Sequence, residues 1–368
     1  MKNNNGTVKI IQESKTFFDK RINKPYFNIF REIPLLLQVS AQYSAKSKPV
    51  DYPRSILIIN TSLLGDFIVS LPAINYFIKE HDSAAIDMMV APVVYSLSTR
   101  IKGLRNVFIS RTIFSDKNED EVDFSDMPEK YDYVLIVRIP PNIIQLLNYL
   151  EFEQLRTYLG PYLKLGLKML SGKNSVVQLT RVNFEVINEE DIDSGNIDAA
   201  RFFQFDNDEL KNIEDHQILK NLENQKKIVI HTGSGWEVKF WELSNWVELL
   251  ERINSLGNNS FIFTGASERE EYDFQKLSEL LSFPIYSIIK KFDVKDTLLF
   301  MRQCDFFIGI DSGPRHIAHL LDLPSISLLG PGPKSFAPLN NNGIVIDKAT
   351  HGCTNLACFY PKTCMEKI

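Results

Sequence analysis

The second half of the chain alternates short apolar runs with amphipathic segments. The apolar runs, rich in β-branched residues, predict strands at residues 227–232, 260–265, 284–289, 305–310 and 325–330. Between them, apolar residues recur at helical spacing and predict helices at residues 244–255, 268–281, 294–304 and 314–321. This order of strands and helices is typical of a doubly wound α/β domain on a parallel sheet.

A similar alternation begins at Ser55 and predicts an earlier domain of the same class. Apolar runs predict strands at residues 55–60, 85–90 and 131–137, and residues 68–78 show helical spacing. Residues 150–222 are less regular. The predicted organisation is an N-terminal extension, two α/β domains in tandem with a cleft between them, and a tail: residues 1–54, 55–222, 223–347 and 348–368.

The composition narrows the class of protein. Of the 368 residues, 44% are hydrophobic and 24% are charged, which is the balance of folded globular proteins and excludes a disordered or collagen-like chain. No apolar run approaches the roughly 18 residues of a membrane helix. The first residues lack the apolar core of a signal peptide, so we expect a cytoplasmic protein. The net charge of −5 argues against general nucleic-acid binding.

The charge is unevenly distributed along the chain. Residues 1–54 hold ten Lys and Arg against four Asp and Glu, a net charge of +6, so the remainder carries −11. Anionic lipid headgroups attract such a segment by about 1 kcal/mol per basic residue, and its aromatic residues can insert. The extension therefore predicts peripheral contact with the cytoplasmic face of a membrane. A structural arm packed on the first domain is the alternative.

Small and polar residues follow several predicted strands of the second domain, at residues 231–235, 264–266, 311–313 and 330–332. In open α/β sheets, ligands bind at the carboxyl ends of the strands. We therefore expect one crowded binding edge.

The segment Asp311-Ser312-Gly313 is the strongest of these signals. It follows a buried strand and precedes Pro314, which suits the first position of a helix. Backbone N–H groups of Ser312, Gly313 and the first helical turn can bind a phosphate or pyrophosphate. Asp311 can bind a sugar hydroxyl, and His316 lies one turn into the helix. The alternative is an ordinary strand–turn–helix in which Ser312 or Gly313 caps the helix.

Two other side chains can contribute chemistry. Lys239 follows a Gly/Ser loop and can neutralise a phosphate as a point charge, although a solvated Lys beside a packed Trp241 is the alternative. Asp66, preceded by Gly65, follows the first predicted strand and can accept a proton from a hydroxyl. An Asp that caps the following helix is the alternative there.

Three of the four cysteines lie in the last sixteen residues. Cys353, Cys358 and Cys364 do not have the spacing of a CxxC pair, so their metal signal is weak. We predict no metal site and keep these three thiols, with His351 as a fourth ligand, as the alternative.

Four segments, taken in order, resemble glycosyltransferase family 9, the bacterial heptosyltransferases of lipopolysaccharide synthesis. They are Ile-Leu-Ile-Ile-Asn-Thr-Ser-Leu-Leu-Gly-Asp-Phe-Ile-Val-Ser-Leu-Pro-Ala (56–73), His-Thr-Gly-Ser with Lys-Phe-Trp (231–241), Thr-Gly-Ala-Ser-Glu (264–268) and Asp-Ser-Gly-Pro-Arg-His-Ile-Ala (311–318). The resemblance covers roughly residues 55–368, including the cysteine-containing tail. One departure is Asn60, where the family usually has an Arg.

The resemblance implies a GT-B architecture, in which two Rossmann-like domains face a cleft that holds the active site. It implies that the enzyme transfers a heptose from ADP-heptose to the lipopolysaccharide core or a related glycolipid, with inversion of the anomeric centre. It also implies that the reaction needs neither a metal ion nor a cofactor and takes place at the inner membrane. By motif, Asp66 would be the general base, and Lys239 would stabilise the leaving diphosphate. The implied donor-binding residues are Ser234, Lys239, Glu268, Asp311, Ser312, Gly313 and His316, with Glu268 on the nucleoside.

The sequence leaves three alternatives open. In the first, the enzyme belongs to the same family but transfers the sugar to a protein, as autotransporter heptosyltransferases do. Some of those enzymes use cysteine-bound iron. Another GT-B-type enzyme, such as a nucleotide-sugar epimerase, would need no acceptor. A nucleotide-sugar-binding module that has lost catalysis is the third, and the joint presence of Asp66, Lys239 and Asp311 argues against it.

Overall fold

The computed structural model describes residues 50–110, 124–138, 143–157, 202–330 and 342–347, together with Met365 and Ile368. These residues divide into two compact units. The first comprises the described parts of residues 1–61, 81–92 and 104–173, and the second those of residues 62–80, 93–103 and 174–368. Residues 1–49 of the predicted extension, and the alternative metal ligands Cys353, Cys358 and Cys364, lie outside the described residues.

Strands and helices alternate along the chain. The strands are β1 (Ser55–Asn60), β2 (Ala85–Val90), β3 (Asn106–Ile109), β4 (Lys130–Arg138), β5 (Glu151–Thr157), β6 (Lys226–His231), β7 (Asn259–Phe263), β8 (Tyr286–Ser287), β9 (Phe306–Ile310), β10 (Ser325–Leu329) and β11 (Gly343–Asp347). The helices are α1 (Leu64–Glu80), α2 (Tyr95–Ser98), α3 (Ile143–Tyr149), α4 (Asn207–Glu214), α5 (Gln217–Asn221), α6 (Leu243–Ser255), α7 (Glu268–Leu280), α8 (Val294–Met301) and α9 (Gly313–Leu320).

The first unit is built on a five-stranded parallel sheet with the order β3-β2-β1-β4-β5. In the central strand β1, residues 56–59 are fully buried, as expected for a continuous apolar run that is covered on both faces. Ile58 pairs in register with Met88 of β2 and Leu135 of β4.

The second unit is built on a six-stranded parallel sheet with the order β11-β10-β9-β6-β7-β8. Counted from its own first strand, this is the 3-2-1-4-5-6 order of doubly wound folds, and the order reverses between β6 and β9. Its apolar core includes Ile230 of β6, Phe261 of β7, Ile308 of β9 and the fully buried Trp246 of α6. The prediction of an α/β chain with two parallel sheets is confirmed.

Two segments from the first half of the sequence, residues 62–80 and 93–103, group with the second unit. Within it, α1 meets α9 at two glycines. A Cβ added to Gly313 would lie 2.8 Å from Leu64 Cδ2, and one added to Gly65 would lie 3.0 Å from His316 Cδ2. Glycine at both positions therefore allows the N-terminal ends of the two helices to approach. The predicted domain bounds, which place α1 with the first sheet, stay a prediction.

The structure differs from the predicted elements mainly at the edges of the sheets. Strands β3, β5 and β11 were not predicted, and β8 has two residues in place of the predicted 284–289. All four are edge strands. An edge strand is covered less than a central one, so it does not need the continuous apolar run that the sequence prediction relies on.

Candidate functional site

Several predicted site residues lie in the second unit at the carboxyl ends of β6 and β9. The strand order of the sheet reverses between these two strands, which is where open α/β sheets bind ligands. The loop after β6 passes through Ser234 to a 3-10 turn, Glu237–Lys239. Asp311 and Ser312 follow β9 and lead into α9.

Lys239, Asp311 and Arg315 form a buried ionic cluster at this edge. Lys239 Nζ lies 2.6 Å from Asp311 Oδ2, and Arg315 Nη2 lies 2.6 Å from Asp311 Oδ1. Burial opposes ionisation of Asp311, but the charges of Arg315 and Lys239 outweigh it and keep the pKa of the carboxyl below its usual value. The cluster contains two cations and one carboxylate, so its net charge is +1.

The start of α9 offers backbone donors beside this cluster. Ser312 is the N-cap residue with an extended backbone, and its side chain makes no capping hydrogen bond within the described part of the chain. Pro314 has no N–H, and the N–H of Arg315 already donates to Ser312 O at 3.2 Å. Among the described residues, the backbone N–H groups of Ser312 and Gly313 donate to no backbone carbonyl, so they can bind a ligand in the field of the helix N-terminus.

Asp66 lies in the first turn of α1, with its side chain half-buried. Because the helix begins at Leu64, Asp66 is inside the first turn and does not occupy the N-cap position that was its alternative role. A carboxylate in the first turn is favoured by the helix dipole. Since a Cβ added to Gly65 would lie 3.0 Å from the ring of His316, Asp66 lies next to the point where α1 and α9 approach each other. Its role as a general base stays a prediction.

Ser234 and Glu268 make other contacts. Ser234 Oγ accepts a hydrogen bond from the Trp236 N–H at 3.2 Å and so stabilises the loop after β6. The side chain of Glu268 is 89% exposed and pairs with Lys290, which lowers the pKa of its carboxyl. The structure thus does not place Glu268 in the buried cluster, and its role on the nucleoside stays a prediction.

Glu270 is a buried site residue that the sequence analysis did not single out. Its Oε2 accepts hydrogen bonds from the N–H groups of Ala266 and Ser267, both at 2.7 Å, and its Oε1 lies 3.5 Å from His231 Nε2. A Cβ added to Gly233 would lie only 1.9 Å from Glu270 Oε1, so that glycine makes room for the carboxylate. The capping-box spacing of Ser267 and Glu270 was the signal that could have identified it.

Arg315 was quoted within the motif of residues 311–318 but received no role. The signal that could have identified it is its position in the first turn of the predicted helix, four residues after Asp311. Its full burial brings a permanent positive charge into the site.

Within the residues that the structure describes, no group of three or more His, Cys, Asp or Glu side chains could hold a metal ion. No helix in that same part of the chain is long and apolar enough to span a bilayer.

Comparison with known proteins gives a family match. Residues 188–367, just under half of the chain, match the family model described as glycosyltransferase family 9 (heptosyltransferase). This match confirms the predicted resemblance over that stretch, which contains three of the four motifs. Lipopolysaccharide heptosyltransferase 1 of Campylobacter coli is 35% identical over 113 residues, or 30% of this chain and 33% of that protein. The same-named protein of Pseudomonas aeruginosa is 27% identical over 109 residues, or 30% of each chain. The matched stretch spans about a third of these relatives.

Solved structures share the fold at low sequence identity. A glycosyl transferase family 9 protein from Veillonella parvula has a TM-score of 0.65 at 14% identity, over 82% of this chain and 87% of that one. The ADP-heptose lipopolysaccharide heptosyltransferase II of E. coli has a TM-score of 0.59 at 14% identity, over 82% and 92%. An E. coli heptosyltransferase with ADP has a TM-score of 0.58 at 16% identity, over 79% and 92%. These likenesses confirm the predicted GT-B fold class.

Proposed function

We propose that this chain, whose residues 188–367 match the model of glycosyltransferase family 9, transfers a heptose from ADP-heptose to a lipopolysaccharide core or related glycolipid. The observation that carries the proposal is the buried cluster of Lys239, Asp311 and Arg315 at the start of α9. It lies within the segment that matches the family and at the switch point of the second sheet.

The cluster has the charge that a nucleoside diphosphate needs. Its net charge of +1 lies beside the N–H groups of Ser312 and Gly313, and the helix dipole adds to the positive potential. Negative charge grows on the diphosphate as its bond to the sugar breaks. A preorganised cation and helix N-terminus stabilise that charge. Lys239, with 14% of its side chain exposed, is the cation that can contact the diphosphate, so we propose transfer without a divalent metal ion.

Asp66 is the base in this proposal. Its carboxylate takes the proton of the acceptor hydroxyl while the hydroxyl oxygen forms a bond to the anomeric carbon. The bond between that carbon and the diphosphate oxygen breaks in the same step, and its electron pair leaves with the nucleoside diphosphate. Attack in line with the leaving group inverts the anomeric centre.

The identities of donor and acceptor come from relatives. The two curated relatives are lipopolysaccharide heptosyltransferases by name, and two of the similar solved structures are named for ADP-heptose or contain ADP. The basic segment 1–54, with its net charge of +6, suits an enzyme that works on a lipid-linked acceptor at an anionic cytoplasmic surface. We therefore propose a cytoplasmic enzyme that is peripheral on the inner membrane.

A thermal-shift panel of nucleotide sugars tests the donor. ADP-heptose at 100 times its Kd should stabilise the protein by about 2.7 kcal/mol and raise its melting temperature, whereas UDP- and GDP-sugars at the same concentration should not. A preference for a UDP-sugar, or no shift with any of them, would contradict the proposed donor.

Asp66→Asn tests the chemistry. Because the amide cannot take a proton, transfer to a heptose-free core acceptor should slow by about 100-fold or more, with the ADP-heptose thermal shift unchanged. Asp208→Asn is the matched control, since Asp208 is an exposed Asp in the first turn of α4. Wild-type turnover in Asp66→Asn would rule out Asp66 as the base.

A further inference from the structure

Arg315 is a fully buried cation in the first turn of α9. Its Nη2 lies 2.6 Å from Asp311 Oδ1 and 3.1 Å from His316 Nε2. Its Nε and Nη1 have no hydrogen-bond partner among the residues that the structure describes. A buried charge whose donors are not all satisfied is costly. The two contacts of Nη2 are therefore the interactions through which Arg315 acts on the site.

The contact with His316 fixes the proton on the imidazole ring. A guanidinium carries five N–H donors, has no acceptor and stays charged in proteins. Nη2 must therefore donate to His316 Nε2, which has to carry a lone pair. The ring is then neutral with its proton on Nδ1, since an imidazolium would direct a second N–H at the guanidinium.

We propose that Arg315 is a positioning residue that holds His316 as the neutral Nδ1–H tautomer. The ring can then only donate a hydrogen bond through Nδ1, and it takes no part in proton transfer at the donor site. The catalytic consequence rests on the proposed function, whereas the tautomer is a property of the protein without substrate. The assignment leaves Asp66 as the group that moves a proton.

The groups around His316 favour the same state. The ring of His319 lies 6.2 Å from that of His316 on the same helix, and Lys239 approaches from the loop after β6. Desolvation of the ring, followed by the positive charge of Arg315 and the effects of His319 and Lys239, places the pKa of His316 well below its usual value.

The carboxylates on the surrounding elements do not reverse this balance. Asp311, at the end of β9, is already paired through both oxygens with Lys239 and Arg315. On α1, the residue against the Nε2 edge of the ring is Gly65, and Asp66 follows it in the first turn. The positively charged Arg315 is thus the group that donates a hydrogen bond to His316 Nε2.

Nitrogen NMR of the imidazole rings tests the tautomer directly. The protein without substrate is labelled with ¹⁵N-histidine, and His316 is assigned among the six histidines by the signal lost in His316→Gln. We expect a protonated Nδ1, an unprotonated Nε2 and no titration between about pH 5 and 8. A protonated Nε2, or a ring that titrates in this range, would overturn the proposal without any variant of Arg315.

Arg315→Lys and Arg315→Met test the causal role of the guanidinium. Without the guanidinium nitrogen Nη2 that reaches both partners, His316 should gain the Nε2–H tautomer or titrate near pH 6.5, and kcat should fall at least tenfold with the new ionisation visible in its pH profile. Lys should not restore the tautomer. Arg252→Met, which removes an exposed Arg paired with Glu248, is the control and should leave both unchanged.

An unchanged His316 signal in the folded Arg315→Lys protein would contradict the role of Arg315. A wild-type protein that shows the Nδ1–H ring but transfers no sugar would support the proposed tautomer and contradict the proposed function. The experiment therefore distinguishes failure of the tautomer proposal from failure of the proposed function.

Discussion

Each unit of the molecule contains a buried aspartate that pairs with an arginine, Asp87 in the first and Asp311 in the second, and the two arrangements differ in their balance of charge. In the first unit, Asp87 of β2 is fully buried, and Arg105 donates to both of its oxygens at 2.9 and 2.6 Å. Tyr131 Oη and Asn106 Nδ2 donate as well, at 2.7 and 3.2 Å. One cation faces one carboxylate, and neutral donors complete the network.

In the second unit, Asp311 faces two cations, Lys239 and Arg315, and two nitrogens of the buried Arg315 lack a partner among the described residues. The Asp87 network is neutral and its carboxylate is saturated with donors, as expected of a group that stabilises a fold. The Asp311 cluster has an excess positive charge and unused donors. A buried excess of charge has a stability cost, and such costs concentrate at functional sites.

A third carboxylate shows that two cations alone do not make an anion site. Glu209 of α4 accepts hydrogen bonds from Arg100 and Lys295, both at 2.7 Å. Lys295 also pairs with Asp296 at 3.2 Å, so this group of four has no net charge. Among these three networks, the one at the end of β9 has a net charge.

The largest expected effect is that of Asp311→Ala. Removing the carboxylate leaves Lys239 and Arg315 unpaired in a buried site, which should lower the free energy of unfolding by about 3–5 kcal/mol. Because the site is proposed to accept phosphates, sulfate or ADP should restore part of that loss. Thermal unfolding with and without each anion measures this.

The control for that rescue is Asp87→Ala, which also removes a buried carboxylate partner of an arginine. Sulfate stabilises folded proteins in general, so the informative quantity is the difference between the two variants. Equal recovery in both would mean that the second unit has no particular affinity for anions.

A smaller effect is expected when Glu209 loses its charge. The hydrogen bond from Arg100 comes first among the causes, and together with Lys295 it lowers the pKa of Glu209 to about 2. The unfolded value is about 4.3, so the contribution is complete above that pH and is lost as pH falls towards 2. It should amount to on the order of 2 kcal/mol.

Urea unfolding of the wild type and Glu209→Gln across this pH range measures the contribution of Glu209. The variant should be less stable by that amount at pH 7, and the two curves should converge near pH 2. Parallel curves would show that the ion pairs of Glu209 do not stabilise the second unit.

The sequence predicted the central strands of both sheets because those strands must be apolar along their whole length. The bounds of β1 and β2 agree with the prediction, β9 begins one residue later than predicted, and β6 is shifted by one residue at both ends. The edge strands β3, β5 and β11 were not predicted because β3 and β11 have apolar runs of only three residues and β5 has none. These segments become strands because they pair with a neighbouring strand, and that pairing depends on residues far away in the chain.

Site residues that lie in the turns after strands could be predicted from the sequence. Site residues whose role depends on a contact with a distant part of the chain could not. Asp311 and Lys239 follow strand ends, which a sequence shows, and they meet in the structure. Glu270 and Arg315 lie inside helices, and their importance comes from burial against Gly233 and Asp311, which only the packing of α7 and α9 creates. Glu268 was singled out because the resemblance assigned the nucleoside contact to the residue that follows the Thr264-Gly265 segment, whereas Glu270 is marked by its capping-box spacing from Ser267.

The smallest expected effect is that of Asp87→Asn, which keeps the shape of the side chain and removes its charge. Hydrogen bonds to a charged acceptor contribute more than neutral ones, so the free energy of unfolding should fall by about 1 kcal/mol. Arg105 has 43% of its side chain exposed, and water can therefore solvate its charge. The proposed ADP-heptose thermal shift should keep its full size, since Asp87 belongs to the first unit. A smaller shift with the donor would show that the neutral network also serves the proposed site, and the contrast between the two aspartates would then fail.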